Sequence, residues 1–228
     1  MIKMVVFDMA GTTIHENNVV YHTLKNTLDE FGFPLSIEKV LSIAGGKEKK
    51  TAILDLIKST GSKPVTDKKL ETIYDRFIGN LNQSYDKMEI SPASGLDKVF
   101  EFLKENKISI VLNTGYNTFI ANKLLKRVQL SEILDFDLLV TADMVNRARP
   151  YPDMINYALE FFQIHATSCI KVGDSTVDIQ EGINAGCRYS IGITTGAQNF
   201  YELSTVEPSF IIDELTELIP IIKRANEE

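Results

Sequence analysis

Two hydrophobic rhythms divide the chain. Ile2–Phe7, Ile108–Asn113, Phe136–Thr141, Cys169–Gly173 and Tyr189–Ile193 are short apolar runs rich in β-branched and aromatic residues, the pattern of buried strands. Helical periodicity over Gly95–Asn106, Tyr116–Val128, Pro152–Phe162 and Val177–Ala185 alternates with them, which predicts an α/β fold with a parallel sheet and crossover helices. From about Glu16 to Met88 the strand signals stop. Tyr21, Leu24, Leu28 and Phe31 lie at helical spacing and Gly32 closes the segment; Ala52, Ile53, Leu56 and Ile57 repeat the pattern, and Leu70, Ile73, Tyr74, Phe77 and Leu81 form a third face. The expected organisation is a core of residues 1–15 and 89–228 with a helical insert, residues 16–88, directly after the first strand.

In open parallel sheets, ligands bind at the carboxyl ends of the strands. Asp8 ends the first apolar run and is followed by Met9-Ala10-Gly11-Thr12-Thr13, so a carboxylate and a hydroxyl-rich turn share that edge. Thr114-Gly115 follows another strand, Asp174 and Asp178 follow Cys169–Gly173, and Arg147 and Arg149 lie in a basic turn before a helical stretch. Singly, each has a bland reading: an Asp that starts a turn, a strand-end Thr, an Arg-Pro loop, a capped helix. Arg147 and Arg149 compete for any role in binding an anion.

Composition narrows the partners. The 228 residues carry a formal net charge of −7, with 44% hydrophobic and 24% charged residues, ordinary for a globular chain and unsuited to nonspecific nucleic-acid or anionic-membrane binding. No apolar stretch approaches the roughly 20 residues of a membrane span, and the chain enters a strand at once, without the pattern of a signal peptide. Cys169 and Cys187 are too few for a disulfide framework and read as reduced structural thiols in a cytoplasmic protein.

In their order, Asp8, Asn113-Thr114-Gly115, Arg149-Pro150-Tyr151-Pro152 and Gly173-Asp174…Asp178 resemble the four motifs of the haloacid dehalogenase-like hydrolases, from Asp8 to the Thr194–Ala197 region. Two departures narrow the resemblance. Ala10 stands where most phosphatases of that superfamily carry a second Asp, and Arg149 stands where most carry a Lys; both look like the phosphonatase-like group around phosphonoacetaldehyde hydrolase. So do the Phe7–Thr13 run and Gly182-Ile183-Asn184-Ala185-Gly186.

The resemblance implies a Rossmann-like core with a mobile helical cap, acting on a small phosphonate or phosphate-bearing metabolite. Asp8 becomes the nucleophile, forming an aspartyl-phosphate. Asp8, the Ala10 carbonyl and Asp174 become ligands of Mg²⁺, with waters completing an octahedron, and Asp178 orients a metal-bound water or caps a helix. Thr114 and the Gly115 N–H contact substrate oxygens, the latter at a helix start. The Arg149 fork holds a phosphonyl oxygen and the Asp8 carboxylate together, and Arg147 faces solvent.

Alanine cannot protonate a leaving alkoxide, so either no acid is needed or it comes from elsewhere, such as the insert. In phosphonatase chemistry a lysine forms an imine with the substrate aldehyde, which accepts the electrons of the P–C bond. Lys49 matches that lysine, three residues after Gly46 and three before Ala52-Ile53; Lys47 and Lys50 are the alternatives, and neighbouring ammonium groups are expected to lower one another's pKa. The family's methionine is Gly45 here and its histidine is Ala52, leaving His15 and His22 as substitutes. Other readings are a metabolite phosphatase or phosphotransferase without imine chemistry, a phospho-receiver domain, and a silent binding protein.

Overall fold

A computed structural model describes residues 1–128 and 135–227. Six strands form one parallel sheet: β1 (Met4–Asp8), β4 (Ser109–Thr114), β5 (Leu138–Thr141), β6 (Cys169–Gly173), β7 (Tyr189–Ile193) and β8 (Phe210–Ile212), in the order β5-β4-β1-β6-β7-β8. The first strand is central and buried along its whole length, as expected of a parallel sheet covered on both faces. Its register sets Asp8 opposite Asn113 of β4 and Phe7 opposite Val172 of β6. The chain fills one side of β1 with β4 and β5 and the other with β6, β7 and β8, so the strand order reverses at β1. That reversal opens a crevice above Asp8.

The crossover helices are α5 (Leu96–Glu105), α6 (Thr118–Arg127), α7 (Asp153–Phe162), α8 (Thr176–Ala185) and α9 (Phe200–Ser204), with α10 (Leu218–Glu227) last. Four helices stand between the short strands β2 (Ile14–His15) and β3 (Ser91–Pro92): α1 (Val19–Glu30), α2 (Ile37–Ala44), α3 (Lys49–Ser59) and α4 (Asp67–Lys87). β2 and β3 pair antiparallel, so the block leaves and re-enters the core through one two-stranded stem. Within it, the stripes Leu24/Leu28, Ala52/Ile53/Leu56/Ile57 and Ile73/Phe77/Leu81 are all buried, which is the periodicity of the sequence turned into a helix-to-helix interface.

Three features differ from the sequence expectation. Helix α2 adds an element outside the three expected apolar faces, burying Val40 and Ala44; Ser36 starts it by accepting from the Lys39 N–H. Strand β8 and helix α10 extend the core beyond the expected alternation. Helix α6 begins at Thr118, because Asn117 caps it through the Ile120 N–H, so Gly115 lies ahead of the helix and not at its first turn.

Candidate active site

Asp8, Arg149, Asp174 and Asp178 come together at the carboxyl edge of the sheet, all buried. Arg149 Nη1 lies 2.7 Å from Asp8 Oδ1 and 2.8 Å from Asp178 Oδ1. Its Nε donates to Glu181 Oε2 at 3.1 Å, and Nη2 donates to the Asn113 carbonyl at 2.8 Å and to the Asn113 side-chain oxygen. The guanidinium fork is therefore spent on protein groups, and only Nη1 faces the Asp8 oxygen. The expected contact of Arg149 with the Asp8 carboxylate is thus made by one nitrogen, while Nε and Nη2 are held by Glu181 and Asn113.

A second buried cation stands behind the first. Lys171 Nζ lies 3.0 Å from Asp178 Oδ1 and 3.4 Å from Glu181 Oε2, and donates to Asn113 Oδ1 at 2.6 Å. The Asn113 amide donates in turn to both Glu181 oxygens. Asp178 is thus held between two cations, and the cap of α8 is Ser175. Burial opposes its ionisation, but Arg149 and Lys171 outweigh that and hold its carboxyl low, while Ser175 bonds its other oxygen and caps α8. Glu181, Lys171 and Asn113 were not singled out from the sequence. The available signal was a lysine and an asparagine inside otherwise apolar strands.

Asp174 is built differently. Its Oδ2 accepts the Ala197 N–H at 2.6 Å, while its buried Oδ1 has no hydrogen-bond partner among the described residues. Gly11 and Gly196 crowd this carboxylate: a Cβ on either would lie 2.3 Å or 1.9 Å from Oδ2, and Gly11 also holds a φ of +90°. Burial pushes both Asp174 and Asp8 upward; the charges of Asp8 and Asp178 add to it at Asp174, while at Asp8 the Arg149 guanidinium opposes it. Across the cluster the two cations Arg149 and Lys171 face four carboxylates, Asp8, Asp174, Asp178 and Glu181. Oxygens of Asp8, Asp174 and Asp178 lie within 4.8 Å of one another. A hard divalent cation fits this donor set, since it satisfies the orphaned Asp174 oxygen and the surplus negative charge together. The Ala10 carbonyl, beside the isolated bridge between Ala10 and Ile14, takes no hydrogen bond among the described residues.

The helical block reaches this site through residues 45–49. The Gly46 carbonyl lies 3.4 Å from Arg149 Nη1, and the Gly46 N–H donates to the Tyr21 hydroxyl at 3.0 Å. A Cβ on Gly115 would meet the Lys47 carbonyl at 2.8 Å, so glycine there is required by the approach of the block. Thr114 is buried beside it and accepts from the Tyr116 N–H at 3.2 Å.

Lys49 is buried at the first turn of α3, and its ammonium donates to the Lys47 carbonyl at 2.8 Å between the rings of Tyr21 and Tyr116, at 5.5 and 5.2 Å. Its pKa is lowered by burial, with Asp8 opposing the shift. The expected lysine-on-lysine effect is absent: Lys47 pairs with Asp55 at 2.7 Å and Lys50 with Glu71 at 2.8 Å, which places both outside the pocket. Arg147 is exposed and pairs with Asp153, as the sequence suggested. His22 is exposed and His15 half-buried. Glu16, not singled out from the sequence, is buried beside Tyr85 and Tyr116.

A family model described as haloacid dehalogenase-like hydrolase matches residues 5–191, which includes Asp8, Thr114, Arg149, Asp174 and Asp178. The chain belongs to that family. Pyrophosphatase PpaX of Bacillus mycoides is 26% identical over 227 residues, covering 99% of each chain. Among solved structures, a hydrolase from Pseudomonas syringae superposes with a TM-score of 0.85 at 19% identity, covering 97% of this chain and 98% of that one. A phosphonoacetaldehyde hydrolase-like protein from Oleispira antarctica gives 0.84 at 21% identity, covering 99% and 93%. At those identities the two structures speak for the fold. No helix of the described residues is long and apolar enough to cross a membrane.

Proposed function

We propose that this hydrolase is a Mg²⁺-dependent phosphatase of small phosphorylated metabolites that works through an aspartyl-phosphate on Asp8. The observation that carries the reading is the contrast between two adjacent carboxylates. Asp8 is aligned by a single Arg149 nitrogen, while Asp174 keeps an unfilled buried oxygen. The naming of its relative as a pyrophosphatase agrees with phosphate as the group attacked.

In this reading Asp8, the Ala10 carbonyl and Asp174 hold the cation, which supplies the charge that lets an anionic phosphoryl group approach a carboxylate. Asp178 and Glu181 fix Arg149, and Arg149 turns Asp8 Oδ1 so that the other carboxylate oxygen attacks phosphorus. Thr114 and the Gly115 N–H bind the remaining phosphoryl oxygens, and residues 16–88 act as the cap that excludes water. The direct test is hydrolysis of pyrophosphate, phosphoglycolate and other phosphate esters with Mg²⁺, in the wild type and in Asp8→Asn. Loss of turnover in the variant, with an unchanged circular-dichroism spectrum, is expected; a fully active Asp8→Asn would sink the assignment.

A second reading, P–C bond hydrolysis of a phosphonoaldehyde through a Lys49 imine, is favoured by one specific feature. Lys49 is a buried amine whose proton is loosened by burial, the property an imine-forming lysine needs. Phosphonoacetaldehyde in the same panel separates the two readings.

A further inference from the structure

Glu16 is a buried carboxylic acid that the phosphoryl-transfer scheme leaves unused. It lies in the stem between the core and the helical block, directly after β2. The bridge between Ala10 and Ile14 turns the chain back past Ala10, and Glu16 follows two residues later. One of its oxygens, Oε2, is occupied: Tyr85 donates at 2.8 Å and the Val20 N–H at 3.2 Å, the latter closing the first turn of α1. Tyr116 reaches the same hydroxyl of Tyr85 at 2.7 Å; because Tyr85 gives its proton to Glu16, Tyr116 donates to Tyr85. Oε1 takes no hydrogen bond among the described residues.

A helix cap needs only one of these oxygens, and a charged cap gains nothing from being buried. Every charged or titratable neighbour belongs to the site or its wall. Tyr85 comes from α4, Tyr116 from the loop after β4, Lys49 from α3, Tyr21 from α1 and Asp8 from β1. Burial raises the Glu16 carboxyl to about 7, while the Tyr85 and Val20 hydrogen bonds and Lys49 hold it down. A group poised there is divided between acid and carboxylate near neutral pH and can both give and take a proton.

We propose that Glu16 is the general acid and base of this enzyme, filling the role that Ala10 cannot. The proposal rests on phosphoryl transfer to Asp8. As the Asp8 oxygen bonds to phosphorus and the P–O bond of the ester breaks, the leaving oxygen takes the electron pair and the Glu16 proton. Water then attacks phosphorus of the aspartyl-phosphate, its proton passes to the Glu16 carboxylate, and the P–O bond to Asp8 breaks. Phosphate leaves, and both residues return to their starting states. Lys49 is a poorer candidate for the acid, because its ammonium is turned onto the Lys47 carbonyl and held between two rings.

The test compares leaving groups. p-Nitrophenyl phosphate releases a phenolate that needs no proton near neutral pH, whereas phosphoglycolate and simple alkyl phosphates release alkoxides that do. Glu16→Gln keeps the shape of the side chain and should lower kcat on the alkyl phosphates by about a hundredfold or more. On p-nitrophenyl phosphate, formation of the aspartyl-phosphate should proceed at near the wild-type rate. Its hydrolysis should slow, so that a burst of p-nitrophenolate precedes the steady state. Tyr85→Phe removes a bond that favours the ionised form, so the alkaline limb of the alkyl-phosphate profile should move to higher pH. Equal losses on both classes without a burst, an unmoved limb, a wild type confined to aryl phosphates, or a leaving-group effect in Lys49→Arg instead would each overturn the assignment. Turnover in the wild type that survives Asp8→Asn would overturn the underlying phosphoryl-transfer reading, a result distinct from all of these.

Discussion

Arg149 Nη1 sits 2.7 Å from Asp8 Oδ1 and 2.8 Å from Asp178 Oδ1, so one guanidinium nitrogen couples the proposed nucleophile to the first turn of α8. The rest of the guanidinium is held by Asn113 and Glu181. A lysine ammonium is a single point of charge and cannot span these partners. Arg149→Lys is expected to lower kcat/KM by roughly ten- to a hundredfold or more, by analogy with losing an oriented donor. It should also cost stability, up to about 3–5 kcal/mol if the buried carboxylates are left short of partners. Steady-state kinetics and denaturant unfolding check both effects. Near-normal kinetics, together with a defect in Arg147→Lys, would mean that the wrong arginine has been assigned.

Asp174 owes its position to two glycines and one backbone N–H. Gly196→Ala places a methyl group where Asp174 Oδ2 stands, so the carboxylate must swing away and lose its bond from Ala197. The expected cost is about 1–3 kcal/mol, as for other overpacked positions, together with a weaker response to Mg²⁺. Asp174→Asn should weaken the Mg²⁺ response without the packing cost. Isothermal titration with Mg²⁺ and thermal melts of both variants distinguish the two effects; a Gly196→Ala protein matching the wild type in both would contradict the described packing.

Glu16 should leave a mark on stability as well as on rate. Its carboxyl rises from 4.5 to about 7 on folding, chiefly through burial. Between those values the folded chain holds a proton that the unfolded chain has lost, so stability falls as the pH rises through that window. The shift corresponds to about 3 kcal/mol, an order-of-magnitude figure. Glu16→Gln removes this component, so its stability relative to the wild type should increase between pH 5 and pH 8. Urea unfolding at the two pH values measures the difference; a variant that runs parallel to the wild type would show that Glu16 does not ionise in this window.

Lys49 separates the two chemistries. If an imine forms, borohydride added during turnover of phosphonoacetaldehyde should fix the substrate skeleton to Lys49, located by peptide mass. Lys47 and Lys50 should remain unmodified, since Asp55 and Glu71 hold their ammonium groups outside the pocket. Absence of any adduct, with full activity in Lys49→Arg, removes the imine reading.

The placement of the site could be read from the sequence where it depended on local rules. A carboxylate or hydroxyl that ends an apolar strand must lie at the sheet edge, and Asp8, Thr114 and Asp174 do so. The groups that depend on contacts between distant segments could not be read in that way. Glu16 meets Tyr85 across 69 residues, and Asn113 meets Glu181 across 68; neither pairing leaves a period or spacing in the chain. Lys49 was legible from spacing, three residues after Gly46 and three before Ala52-Ile53, and it is the buried lysine of its cluster. What the spacing left open was the fate of its neighbours: Lys47, ahead of α3, pairs with Asp55, and Lys50, on the outer side of the helix, pairs with Glu71. Tyr21, at helical spacing on α1, reads as plain core, although its hydroxyl accepts from Gly46 and its ring faces Lys49.

The Gly46 carbonyl on Arg149 and the bare Cα of Gly115 beneath Lys47 have a consequence for traffic through the enzyme. In this arrangement Asp8 and Asp174 are sealed from solvent, at 4% and 1% exposure. In the proposed reaction a reactant would reach them by displacing residues 45–49, which lie against Arg149 and Gly115. Entry and exit would then be mechanical events in every cycle, with the ceiling on throughput set by how fast that segment opens and the chemistry waiting behind it.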